Sequence, residues 1–167
     1  MKVKASSTHK KVVVERFSGE PVRGYLNPRT FDQPEGMELL TAEGQRTELP
    51  WKEIKIAWFV QEWDPSPARP ERTMFLRRPR LEGLWIRLRF RDQEVLEGLV
   101  ANDLLGHSAF GYLITPPDLN GNHQKAFIPR SALAAMEVLA VIPHRGQHRR
   151  RRPRGAPAPG QTELFEP

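Results

Sequence analysis

The sequence predicts a mainly β protein: two tandem copies of one small β-rich unit with short helical turns, then a disordered basic C-terminal tail. Three observations lead there. Short runs rich in valine, isoleucine and aromatic residues alternate with turn residues, as in small β domains. The order of these runs recurs in the second half of the chain. From residue 143 onward, prolines and arginines replace core-forming side chains.

Residues 1–10 are polar and read as a flexible N-terminus. Lys11–Phe17 is the first strand, with Val12, Val13 and Val14 supplying strong β propensity. Ser18-Gly19-Glu20-Pro21 is turn chemistry, and Val22–Leu26 returns to complete a hairpin. Met37–Ala42 and Thr47–Leu49 flank the turn Glu43-Gly44-Gln45, and Ile54–Val60 (IKIAWFV) closes the unit as a buried strand. In the second half, Trp85–Phe90 (WIRLRF) alternates apolar and basic residues, Arg91-Asp92-Gln93 turns, and Val95–Val100 returns. Phe110–Thr115 then pairs with Gln124–Ile128 across the loop PPDLNGN, whose Asn120-Gly121 is a hairpin signal. Ser131–Ala140 (SALAAMEVLA) has helix-forming composition and a serine at the N-cap position. It reads as a short helical or 3₁₀ turn after Pro129 and a strand at Glu137–Ile142, with a helix over 131–140 as the alternative.

Shared spacing supports duplication. Arg16-Phe17 aligns with Arg89-Phe90, Gly24 with Gly98, Met37 with Gly111, Leu49-Pro50 with Ile128-Pro129, and Ile54 with Leu133. The units are expected at 11–63 and 83–142. Between them a Pro/Arg-rich linker spans 64–82, and after them the tail spans 143–167 and ends in the peptide QTELF. Units of about 60 residues bury only roughly 60% of their unfolded surface. Two of them should therefore pack together or dimerise.

The segments RFRDQEVLEGL and GYLITPPDLNGN, and more loosely RFSGEPVRGY and IAWFV, resemble a family of uncharacterised bacterial tandem-domain proteins. The resemblance covers about 11–142. It implies small β-barrels similar in build to Sm-like or PilZ-like domains and brings no activity with it.

The chain has no cysteine, which excludes disulfide scaffolds, thiolate metal sites and cysteine nucleophiles, and fits a reducing compartment. The N-terminal stretch lacks the apolar region of a secretory signal. Ala132–Ile142, the longest nearly apolar run, is interrupted by Glu137 and too short to span a bilayer. No membrane association and a cytoplasmic location are the expectations. The net charge is +6, but residues 145–167 hold six arginines and two glutamates, or +4, which leaves +2 for residues 1–144. The polycation is the tail rather than the body.

No catalytic residue, metal ligand set or cofactor is expected. The five histidines show no ligand spacing, Ser108 beside His107 lacks the elbow of a serine nucleophile, and no glycine loop is built to cradle phosphate. Two features suggest binding instead. Arg77, Arg78 and Arg80 precede the second unit and resemble the arginine cluster with which PilZ domains grip a cyclic dinucleotide. The serine-bearing second element of that family is absent from Asn102-Asp103-Leu104-Leu105-Gly106. Gln161-Thr162-Glu163-Leu164-Phe165 resembles the pentapeptide by which bacterial polymerases and repair proteins bind the DNA sliding clamp. That resemblance implies Leu164 and Phe165 as apolar anchors and the Gln161 amide as a rim hydrogen-bonding group. Arg149, Arg150, Arg151, Arg152 and Arg154 would then contact DNA or RNA phosphates without reading sequence.

The sequence therefore points to a non-enzymatic adaptor associated with DNA or the replication machinery. The alternatives are a PilZ-like signalling module and a structural homodimer.

Overall fold

Ten strands and one 3₁₀ turn make up the regular structure of the computed structural model, which describes residues 8–64, 72–118 and 121–144. The fold is mainly β. The valine run forms β1 (Lys10–Arg16), followed by β2 (Val22–Leu26), β3 (Gly36–Thr41), β4 (Arg46–Pro50) and β5 (Ile54–Val60). The second half supplies β6 (Gly83–Phe90), β7 (Val95–Val100), β8 (Gly111–Ile114) and β9 (His123–Pro129), then the 3₁₀ turn Arg130–Ala132 and β10 (Leu133–Ile142).

The 131–140 alternative resolves as turn plus strand, with the strand starting at Leu133. Helix propensity differences of under 1 kcal/mol per residue yield here to a ladder along β6 that runs from Leu133↔Phe90 to Ile142↔Gly83. Ser131 is not a cap. It sits inside the turn and donates its hydroxyl to the Trp51 carbonyl at 3.0 Å, which ties the turn to the first half.

The strands form two sheets, of order β4-β3-β2-β1-β5-β9-β8 and β10-β6-β7. A Leu99↔Thr115 bridge with hydrogen bonds of 2.9 and 2.8 Å links β7 to the region just past β8. Neither sheet closes on itself, and β4 and β10 stand at the two ends of the strand order.

The halves share pairing registers. Val12↔Gly24 in the β1–β2 pair matches Ile86↔Gly98 in β6–β7. Gly36↔Pro50 matches Gly111↔Pro129. The β1–β5 ladder, from Arg16↔Ile54 to Val12↔Phe59 with Lys55 as an extra residue, matches Phe90↔Leu133 to Ile86↔Val138 with Ala134 as the extra residue. These registers equate Arg16 with Phe90 and Gly36 with Gly111, one residue away from the Arg-Phe and Met37 alignments drawn from sequence.

The cores are interleaved. Val12, Val14, Met37, Leu39 and Phe59 pack with Phe127, which comes from β9 of the other half. Ile86, Leu88, Phe90 and Ile128 pack with Ile56, Trp58 and Val60 of β5. Apart from the extra residue Lys55, residues along β5 alternate between the two clusters, and all seven are buried. The pairing Ala57↔Phe127, Trp58↔Ala126 and Phe59↔Lys125 is the backbone seam between the halves.

Close approach across the β8–β9 pair demands glycine at 111. A Cβ there would overlap the Ile128 carbonyl and lie 2.6 Å from the Phe127 ring. Gly111→Ala should cost about 1–3 kcal/mol through overpacking, read as a lower denaturant midpoint with an unchanged slope.

Candidate interaction site

The seam carries one open groove in two connected parts, which share Gly106, His107, Leu113 and Lys125 as walls. One part, of about 540 Å³, is bordered by Lys10, Lys11, Arg29 and Lys125 over a floor that includes Phe31, Phe59 and Phe127. The other, of about 780 Å³, runs past Leu81, Asn102, Val141 and Ile142 to His144. Lys10 and Lys11 come from β1 and Lys125 from β9, and the β2–β3 connection adds Arg29, so strand pairing and one loop assemble this basic rim. Part of the charge is already engaged. Lys11 Nζ donates to the Gln61 carbonyl at 3.1 Å, and Lys125 Nζ donates to Thr115 Oγ1 at 2.6 Å. The apolar floor is thus bordered by four cationic groups, with Asp32 also among the lining residues.

Ser108 lies on the groove wall with Asp32 and His107. Its hydroxyl donates to Asp32 Oδ2 at 2.7 Å and accepts from the Phe110 amide at 3.1 Å. His107 packs edge-on to Tyr112 at 5.6 Å. The serine is thus handed to a carboxylate rather than to an imidazole, and its bonds pin the 106–110 loop to the first half. Among the described residues, no group of three or more His, Asp or Glu side chains is placed to hold a metal ion.

Arg77, Arg78 and Arg80 are exposed. Arg78 donates to the Val141 carbonyl on β10 at 3.4 Å. Asn102 and Gly106 line the larger part of the groove beside Leu81, Glu82 and Gly83, yet none of the three arginines is among its lining residues. The segment before β6 has a structural attachment instead. The Glu97 amide donates to the Thr73 carbonyl at 2.7 Å, and Phe75 packs edge-on to Trp85 at 6.0 Å.

Gln161, Leu164, Phe165 and Arg149, Arg150, Arg151, Arg152 and Arg154 lie outside the described residues. The chain reaches them from Pro143 and His144, both exposed at the groove mouth, where His144 Nδ1 and Glu82 Oε2 are 2.5 Å apart.

Sequence reading missed the groove, because its lining residues are far apart along the chain. It also missed the exposed pair Leu104 and Leu105, at 75% and 98% exposure on one loop. Two apolar residues between Asp103 and Gly106 were the available signal.

No helix among the described residues is long and apolar enough to cross a membrane. The comparisons place no named activity beside this geometry: no curated protein and no solved structure matches the chain. A family model described as a family of unknown function (DUF6982) matches residues 8–140, a span that takes in every strand from β1 and all but the last two residues of β10. On that match the chain belongs to the DUF6982 family.

Proposed function

We propose that this protein is a non-enzymatic cytoplasmic adaptor, built on two duplicated units of small-β-barrel type, that docks on a DNA sliding clamp through Gln161, Leu164 and Phe165. The observation that carries the reading is the Q-x-x-L-F form of residues 161–165 downstream of Arg149–Arg152 and Arg154. A leucine–phenylalanine pair filling an apolar pocket supplies the anchors of such a contact, and the glutamine amide fixes their register at the rim. The arginines add salt-dependent affinity for phosphates of DNA or RNA beside the clamp. Support from the body is positional. β10 delivers the chain to the surface at His144, and residues 145–160 can span at most roughly 55 Å, enough to separate the peptide from the body. The recurring registers Val12↔Gly24 and Ile86↔Gly98 support duplication.

The test is a pull-down of purified clamp with the full chain. The intact protein should retain the clamp, and a chain lacking residues 161–167 should not, with its far-UV circular dichroism unchanged. Combined Leu164→Ala and Phe165→Ala should weaken binding at least about 30-fold, the effect of losing hot-spot anchors. Retention by the shortened chain would reject the reading.

A further inference from the structure

β4 and β10 are the terminal strands of the order, and the pairing registers make β4 the counterpart of β9 and β10 the counterpart of β5. Inside the molecule, β9 covers β5. Ala57 and Phe59 are buried there beside Phe127. Their counterparts on β10 are Met136 and Val138, exposed to 41% and 54%, with Val141 at 54% further along. Ten residues, LAAMEVLAVI, run along this edge with Glu137 as their one charge. A long apolar edge with unpaired N–H and C=O groups is a template for another strand.

β4 is a poor candidate for that strand. It is short and carries exposed Arg46 and Glu48, with Arg46 directed toward Glu38 at 3.8 Å. Copying the internal seam between molecules would set Glu48 opposite Met136, where the seam itself has Phe127 opposite Ala57. A carboxylate there would be desolvated without a partner. A second β10 offers the same exposed Met136 and Val138 and sets no Glu48 against them.

We propose that β10 is a homodimer edge, pairing antiparallel with β10 of a second copy about a two-fold axis. Whichever of Met136 and Val138 lies at the axis then packs against the same residue of the other copy. A central pair at Val138 or Met136 keeps the two Glu137 carboxylates from facing each other directly. Arg78 caps the Val141 carbonyl, so the edge open to the partner runs from Leu133 to Ala140. A single strand pair is a small interface, which places the dissociation constant on the order of micromolar. The dimer does not depend on the docking peptide.

Sedimentation velocity of the full chain from about 1 to 100 µM tests it. The expected result is a monomer that passes to a dimer and stops there, with or without residues 161–167. Met136→Lys with Val138→Lys should stay monomeric throughout at an unchanged melting temperature, since both side chains already face solvent in the monomer. Val138→Lys alone should weaken the dimer at least about 10-fold. Leu105→Lys, at the exposed loop, should dimerise normally. A wild-type chain that stays monomeric, a dimer that survives both lysines, or oligomers that keep growing past two would each overturn the proposal.

Discussion

Exchanging Asp92→Asn together with Glu94→Gln should destabilise the protein by roughly 1.5–3 kcal/mol, whereas Lys55→Met should cost about 1 kcal/mol or less. Lys55 is the extra residue of a bulged strand, its side chain is 9% exposed, and its ammonium lies 2.6 Å from both Asp92 and Glu94 in the β6–β7 turn. The contact clamps β5 of one half to a hairpin of the other. The carboxylates are more exposed, at 36% and 71%, and can return to water when the lysine is removed. The ammonium cannot, so stripping its partners leaves a buried charge uncompensated. Urea midpoints of the two variants check the asymmetry, and equal losses would contradict it.

The same clamp sets a pH window. Burial alone would lower the Lys55 pKa, but the hydrogen bonds it donates to Asp92 and Glu94, together with their charges, outweigh it and hold the ammonium above its ordinary 10.5. The Lys55 hydrogen bond holds Asp92 below its ordinary 3.8. A raised lysine pKa gives stability that is fully present below the unfolded value and lost as pH rises through the folded one. A depressed aspartate pKa gives stability that is present above the unfolded value and lost as pH falls through the folded one. The contribution should therefore be complete between about pH 4 and 10 and fade on both sides. In Lys55→Met both flanks should flatten, as read from melting temperature against pH.

Glu97→Ala should cost about 3 kcal/mol, the lower end for breaking a buried charged pair. Glu97 is 2% exposed and accepts hydrogen bonds from Arg87 Nη2 at 2.9 Å, Trp85 Nε1 at 3.1 Å and the Phe75 amide at 3.1 Å. Without the carboxylate, the indole and amide donors lose their acceptor. Arg87, at 43% exposure, can turn to water, which keeps the loss at the lower end. Glu97→Gln should cost less but remain measurable, since its amide presents N–H groups to donors. Faster hydrogen exchange at Thr73–Phe75 should accompany both. A loss under 1 kcal/mol for the alanine variant would mean that this network is dispensable.

The strands were legible because alternating apolar residues and glycine, proline or acidic turns are local signals, and IKIAWFV announced a strand packed on both faces. The register between halves was legible only to within a residue. Arg16-Phe17 and Arg89-Phe90 look alike but sit one step apart in the ladders, and the pairs Gly36–Pro50 and Gly111–Pro129 carry the true correspondence. SALAAMEVLA misled in part because its composition suits a helix while its neighbour β6 offers a full ladder. The seam was invisible, since Ala57 and Phe127 meet through topology alone. Lys55 inside an apolar run and Glu97 inside VLEGLV were available signals of buried charge that the sequence reading passed over, and no spacing rule names Asp92 or Arg87 as their partners. The groove shares that origin: its lysines converge only after β1, β5 and β9 have paired.

Docking through the far C-terminal peptide is tested most directly by fluorescence polarisation of a labelled peptide covering residues 145–167, titrated with purified clamp and, separately, with duplex DNA. Clamp binding should saturate and be lost with Leu164→Ala and Phe165→Ala, while DNA binding should fall steeply as salt rises and be indifferent to those two substitutions. No clamp binding at about 100 µM, or binding that survives both alanines, would contradict an anchored leucine–phenylalanine pair and leave the β body without this role.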